Sequence, residues 1–537
     1  MCRCFQLAVL VLPLLETHAE SAVVGKWRRH TISLSNQTYS DNPFEVEVEA
    51  IFTHTSTGTT LTLPGYYAGN DVWKIGFMPT VVGEWTWVTS SPDPDLDSQT
   101  GSVTGVTSGN RGLLAESTTH PRKWKFADGP FVVPLAFRFD VFQEAGSLAR
   151  FTEIADFLAT DVEGHMFEFT FRNEVFSDWA AHQFDLGLWD RLEQRMEILA
   201  ERGLGIHFMF YSDDAQEPSW GGRSDTEALL IRYTIARLSG FPVLIVNTGI
   251  DITEYRSQTD IDWLGQQVRS LDPYDHPVSS RRGGGSGGMV MSGETFESRG
   301  DRLAIIADLT AYFEASSIPV SMDDAWSENS PAAESRGKNF TEHDIRRAVW
   351  KCVMAGGLGA IIRGSVTYNQ DTWFRMADFE EDLESEQFLV LINPFLDQKL
   401  GSLFGEMVPD NGLVDNGYAL ADPARSRILV FLMGINDEYD AGFPFDSSLK
   451  DMALWLFRRS AGGSGVGGVA PTTVRLQYLT GAYEASWIDP RTGIEIALGT
   501  LRAGSDHILS PPDSDDWLLL MTNSTAFDPN LTIMSSP

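Results

Sequence analysis

Between Pro121 and Leu400 the chain alternates two patterns, and this alternation limits the possible folds more than any other feature. Short apolar runs, "FVVPLAF", "HMFEFTF", "LGIHFMFY", "PVLIVNTG", "HPVSSR", "IPVSMDD" and "LGAIIRG", have the character of strands buried on both faces. Amphipathic stretches such as "LWDRLEQRMEILAERG" and "TDIDWLGQQVRSLD" lie between them. In the first of these, Leu188, Leu192, Met196 and Leu199 recur at helical spacing and Gly203 closes the segment. A weaker strand around "GGMVMSGETF" makes eight, which predicts a (β/α)8 barrel, the TIM-barrel fold, over about 280 residues, 121–400. The alternative is an open doubly wound sheet, against which stands the lack of a Gly-rich phosphate loop after the first strand.

On either side the period changes to two. From Val23 to Val106, "FEVEVEAIF" sets Phe44, Val46, Val48 and Ala50 against Glu45, Glu47 and Glu49, and "TLTLPGYY", "VWKIGFMP" and "EWTWVTS" repeat the pattern between Gly and Pro turns. This predicts a β-sandwich over 23–106. From Gly401 to Pro537, "SRILVFLM", "TVRLQYL", "YEASWIDPRTG" and "DWLLLMT" predict a second β-sandwich, with "AGGSGVGGVA" as a flexible loop. The fold class expected is therefore multidomain, α/β plus all-β. The loop "SPDPDLDSQTG" clusters Asp93, Asp95 and Asp97, but its sixth position is not Gly and its twelfth is Thr104, so a solvated turn is expected there and no calcium site.

"MCRCFQLAVLVLPLLETHAES" has a basic start, an apolar run from Phe5 to Leu15 and a small-residue pattern at Thr17–Ala19, so 1–19 reads as a signal peptide and the protein as secreted or periplasmic. The run is too short to span a bilayer, and no membrane insertion is expected. Cys2 and Cys4 would leave with it, and Cys352 alone cannot form an intramolecular disulfide. The formal charge of −34 would repel a phosphate backbone, so nucleic acid and anionic membranes are excluded as partners. Oligomeric state is not readable.

In a (β/α)8 barrel the chemistry sits at the C-terminal ends of the strands. The fourth strand, "PVLIVNTG", hands off to Asp251 and Glu254; the seventh, "IPVSMDD", delivers Asp323 and Asp324. Two carboxylates across a barrel mouth suit glycoside hydrolysis: one protonates the leaving oxygen while the other attacks the anomeric carbon or activates water. Acids at strand ends can equally be helix caps or solvated loop residues. Other polar groups fall on the same rim: Arg138, then Glu168, Arg172 and Asn173, then Tyr211 and Asp213, then Arg256, Arg281 before "GGGSGG", and Trp326, whose ring could stack on a sugar. The four arginines could meet sulfate or uronate groups by charge-assisted hydrogen bonds. No cofactor is called for, and ten His without H-x-H or H-E-x-x-H argue against a metal.

The segments "FTHTSTGTTLTLPGYYAGNDVWKIGFMPTVVGEWTWVTSS", "SGNRGLL", "HPRKWKFADGPFVVPL", "LDPYDHPVSSR", "IRRAVWKCVMAGG" and "WIDPRTG" resemble secreted bacterial glycoside hydrolases of the apiosidase-like type. The resemblance implies an N-terminal Ig-like domain, a (β/α)8 barrel and a C-terminal β-sandwich. It further implies an acid/base at the end of strand four, falling on Asp251, and a carboxylate nucleophile at the end of strand seven, falling on Asp324 with Asp323 as its rival. The chain departs from that pattern in "GID", where the wider clan has Asn-Glu, and in Ala325, where near relatives are expected to have Arg; the first keeps Glu254 in play. The expectation is a secreted hydrolase of O-glycosyl bonds in a plant or algal polysaccharide or its oligosaccharides, with retention of configuration. The rivals are a polysaccharide lyase using Tyr211 as base and a non-catalytic carbohydrate-binding protein on the same scaffold.

Overall fold

The structure of the chain, a computed structural model, describes residues 20–138, 147–170, 175–211, 221–249, 252–282, 294–297, 306–328, 339–363, 384–434 and 471–524. It is a mixed α/β and β-rich molecule. Each of the eight expected runs carries a strand of one sheet: Leu135–Arg138, Met166–Thr170, Gly205–Met209, Leu244–Asn247, Val278–Ser279 with Arg281–Arg282, Glu294–Glu297, Val320–Glu328 and Gly359–Arg363. Neighbours along this sheet pair in parallel, and the first strand pairs with the last, Leu135 opposite Ala360. The path ends at Val278–Ser279 on one side and Arg281–Arg282 on the other, two pieces separated only by Ser280.

Alternate residues of these strands serve different cores. Phe137, Phe167, Ile206, Phe208, Leu244 and Val246 pack in the large cluster with the helices. Ala136, Met166, Val243 and Ile245 pack instead with Leu114, Trp124, Phe126 and Val132. The second group includes the hairpin of Leu114–Glu116 and Trp124–Phe126, whose Trp124 Nε1 donates to the Val320 carbonyl at 3.3 Å. That places the plug beside the starts of the strands and leaves their C-terminal ends for polar side chains.

The helices between strands begin where the sequence supplies caps. Ser147, Asp185, Ser224, Ser257 and Thr341 each accept a hydrogen bond from the backbone N–H three residues on, and Thr341 with Asp344 forms a full capping box. No helix among the described residues is long and apolar enough to cross a membrane.

The N-terminal region forms a five-stranded and a three-stranded sheet sharing a core of Phe52, Trp73, Phe77 and Trp85, with Phe52 and Phe77 stacked at 4.0 Å. One expectation shifts here. Phe44 and Val48 are buried and Glu45, Glu47 and Glu49 exposed, as alternation predicts, but strand pairing begins only at Glu49. Alternation reports which side chains are buried, whereas a strand also needs a partner's backbone.

This region is fixed to the helices by ion pairs. Arg29 donates to Glu193 at 2.7 Å and Glu197 at 2.9 Å, Arg237 reaches Glu193 at 3.2 Å, and the Tyr274 hydroxyl accepts from the Met78 N–H at 2.7 Å. At the other end a six-stranded sheet runs from Val408–Pro409 to Glu495–Arg502. It is held by the buried carboxylate of Asp516, which accepts from Arg346 (2.6 Å) and Arg347 (2.9 Å) of the helix Glu342–Met354.

Candidate active site

Polar residues replace apolar ones where the parallel strands run out. Glu168 lies opposite His207, and Asn247 opposite Ser279, on adjacent strands. All four are buried. The Gly249 N–H donates to Asn247 Oδ1 at 2.9 Å, which turns the amide nitrogen towards His207 Nε2, 3.2 Å away. An amide nitrogen only donates, so Nε2 must offer its lone pair and the ring hydrogen sits on Nδ1. That nitrogen faces Glu168 Oε2 at 3.5 Å, while Ser279 Oγ lies 3.2 Å from Nε2. Strand-end geometry thus selects one tautomer of His207 and points it at a carboxylate.

The chain leaves the fourth strand through Gly249, where a Cβ would meet the Tyr255 hydroxyl at 2.8 Å, so only glycine permits the approach. The turn Ile252–Glu254 follows, closed by N–H bonds from Tyr255 and Arg256 to the Ile252 carbonyl. Arg256 then turns inward. Its guanidinium meets Glu227 Oε1 at 2.9 Å and lies 4.8 Å over the Tyr211 ring, whose hydroxyl donates to the same oxygen at 2.5 Å. Glu227 also accepts the Arg223 N–H at 2.5 Å. Tyr211, Glu227 and Arg256 together tie the end of strand three and the start of the next helix to the strand-four loop.

The seventh strand, Val320–Glu328, changes register against Gly359–Arg363 between Met322 and Trp326: four residues on one side match two on the other. The irregularity falls on Asp323, Asp324 and Ala325, the acids the sequence singled out. Bulges re-aim side chains and are frequent beside active sites.

The remaining candidates fall as follows. Glu168 is buried beside His207. Tyr211 and Arg256 are buried and bonded to Glu227, which corrects the expectation that Arg256 stands ready for an anionic sugar: a guanidinium paired this closely serves the loop. Glu254 ends the short turn; Arg138 lies opposite Glu168 and Arg363, Arg281 opposite Thr295, Asp323 opposite Glu297, and Trp326 opposite Ile362. Asp251, Arg172, Asn173 and Asp213 lie outside the described residues. Sequence reasoning missed His207, Glu227, Asn247 as a hydrogen-bonding residue, and Ser279. A lone His inside "GIHFM" and the Asn ending "LIVN" were signals; Glu227 read only as a first-turn acid. Among the described residues, no group of three His, Cys, Asp or Glu could hold a metal ion.

Comparison with known proteins bears on this arrangement. Residues 23–92 match a family described as Domain of unknown function (DUF5060). No curated protein matches the chain. Among solved structures, a presumed glycoside hydrolase from Bacteroides vulgatus ATCC 8482 aligns at TM-score 0.70 and 16% identity, covering 94% of this chain and 100% of its own. A family 5 glycoside hydrolase from the same organism aligns at TM-score 0.58 and 16% identity over 77% of this chain and 94% of its own. Another glycoside hydrolase aligns at TM-score 0.59 and 15% identity over 78% and 98%. The chain shares its fold with glycoside hydrolases.

Proposed function

We propose that this chain is a secreted glycoside hydrolase acting on a plant or algal polysaccharide or its oligosaccharides. In this reading residues 1–19 are a signal peptide, 23–106 an Ig-like sandwich, 121–400 a closed (β/α)8 barrel and 401–537 a C-terminal sandwich. The observation that carries it is the single parallel sheet whose two ends are separated by Ser280, with the strand-four loop and the irregular stretch Asp323–Ala325 following strands of that one sheet. The fold shared with glycoside hydrolases supports the same reading.

Asp251 is assigned the general acid/base and Asp324 the nucleophile, with Asp323 the alternative at the bulge and Glu254 the alternative on the loop. Glu227, Tyr211 and Arg256 act as positioning residues: they brace the loop that bears the acid without touching substrate. Glu168 and the oriented His207 line the floor and can hydrogen-bond sugar hydroxyls. The reaction class demands a protonated acid and an ionised carboxylate on opposite faces of the scissile bond. Arg138, Arg172, Asn173, Asp213, Arg281 and Trp326 complete the proposed rim.

The test is a product screen over plant and algal polysaccharides with wild type, Asp251→Asn and Asp324→Asn. Reducing ends released by wild type and lost in both variants support the assignment. Sugar binding by all three proteins with no product from any would make the barrel a binding scaffold, and unsaturated products absorbing in the ultraviolet would make it a lyase.

A further inference from the structure

Between the second strand of the parallel sheet and the helix Leu186–Glu201, a small hairpin pairs Phe176–Asp178 with Gln183–Phe184. Following the C-terminal end of a strand, it stands on the same rim as the proposed acids. At its tip sits Trp179, 41% exposed, while its base is buried: Phe176 stacks on Phe184 at 4.4 Å and Phe184 on Tyr233 at 4.0 Å.

The tip is fixed from several directions. Asp178 Oδ1 accepts the N–H groups of Ala180 and Ala181, both at 3.1 Å, and the His182 N–H closes the turn onto the Trp179 carbonyl at 3.2 Å. His182 holds a left-handed backbone (φ 53°), unfavourable for a residue with a Cβ. Its ring spans two other parts of the molecule: Nδ1 donates to Glu45 Oε1 at 2.6 Å, and Nε2 meets Thr226 Oγ1 at 2.9 Å. Asn42 Nδ2 donates to the carbonyls of Ala181 and His182 at 3.0 and 3.2 Å. Thr226 is next in sequence to Glu227, so the brace that holds the strand-four loop and the brace that holds the hairpin meet on one helix.

A single exposed tryptophan is ordinary on a protein surface. A tryptophan displayed on a turn this heavily braced, beside a sugar-processing rim, is not explained by folding alone. A rigid indole loses little conformational freedom on binding and presents an apolar face to a ligand whose edge is polar. Pyranose rings match that, with axial C–H groups on a face and hydroxyls around the edge.

We propose that Trp179 is the platform of an outer sugar-binding subsite, stacking on the face of a pyranose unit of a polysaccharide chain that continues to the rim acids, and that Asn42 and Glu45 of the N-terminal β-rich region hold the platform in place. The proposal rests on the glycoside hydrolase reading and narrows it: the substrate is an extended chain, and the N-terminal region serves substrate binding through the hairpin.

The test is affinity gel electrophoresis of the full chain in soluble xyloglucan, arabinoxylan, mixed-linkage glucan and pectin, which reads binding without turnover. Wild type is retarded by at least one. Trp179→Ala weakens that retention about tenfold, as expected for a rigid aromatic anchor; Trp179→Tyr restores most of it; and Asn42→Ala with Glu45→Ala weakens it while Trp179 is intact. An unchanged melting temperature for Trp179→Ala separates lost binding from lost folding. Retention equal to wild type in Trp179→Ala, or no retardation of wild type on any of the four, overturns the proposal. Reducing-end release measured in parallel keeps the two readings apart. Retention lost in Trp179→Ala with no product from wild type leaves the platform standing and removes the hydrolase. Equal turnover by wild type and Trp179→Ala on polysaccharide does the reverse.

Discussion

Glu227 and Arg256 meet at 2.9 Å with 0% and 1% of their side chains reached by solvent, and the pair joins the first turn of one helix to the loop that follows the fourth strand. Twenty-nine residues separate them in the chain. The charges are matched one to one, and the Tyr211 hydroxyl adds a third bond to the carboxylate.

Removing one partner should cost far more than removing both. Glu227→Ala leaves a buried guanidinium uncompensated, at a cost of about 3–5 kcal/mol, whereas Glu227→Met with Arg256→Met should recover much of that loss. Urea unfolding of the single and double variants measures the difference. A double variant as unstable as the single one would show that the two charges are not coupled.

The product stereochemistry follows from the proposed pair of acids. A nucleophile on strand seven and an acid/base on the strand-four loop give a covalent glycosyl intermediate and release the sugar with its anomeric configuration retained. Proton NMR of the first product formed, before mutarotation, reads this directly. Inversion would mean that the second carboxylate activates water.

Lys123 is a buried amine whose Nζ donates to the Gly356 carbonyl at 2.5 Å between the rings of Phe313 and Phe404. Burial, helped by the nearby Arg122, brings its pKa down to about 7. The unfolded chain therefore binds a proton that the folded chain does not between pH 7 and the ordinary lysine value, and stability should rise with pH across that window. Lys123→Met should raise the melting temperature most at pH 7 and flatten the slope up to pH 10. Parallel slopes for the two proteins would exclude Lys123 as its source.

Asp516 sits between two guanidinium groups, with burial opposing its ionisation and Arg346 and Arg347 outweighing that to hold the carboxyl below the usual range. A depressed carboxyl contributes stability that is present above the ordinary aspartate value and lost as pH falls towards the folded one. Asp516→Asn should remove about 3–5 kcal/mol at neutral pH, since two buried cations lose their partner. Thermal melts at pH 7 and pH 3 check this, and the deficit should shrink at the lower pH.

Much of the fold was legible in the chain. Runs such as "PVLIVNTG" and "LGIHFMFY" became the expected strands, and Ser147, Ser224 and Ser257 start helices where their position suggested. Phe44 to Glu49 alternate in burial as read, yet the strand begins only at Glu49. The candidate site was legible in part. Asp323 and Asp324 fall at a register irregularity that no pattern in "IPVSMDD" announces.

By itself, the sequence determined what short-range physics controls: the strand and helix periods, the caps, and the strand ends where polar residues gather. Those depend on neighbours within a turn or two, and every such neighbour is written in order. Tertiary structure alone decided that Arg256 faces Glu227, that His207 carries its hydrogen towards Glu168, and that Asn42 and Glu45 brace the turn bearing Trp179. A charged or polar side chain is stabilised by whichever complementary group lies within about 3 Å. Only the folded chain brings together residues 29, 39 or 137 positions apart.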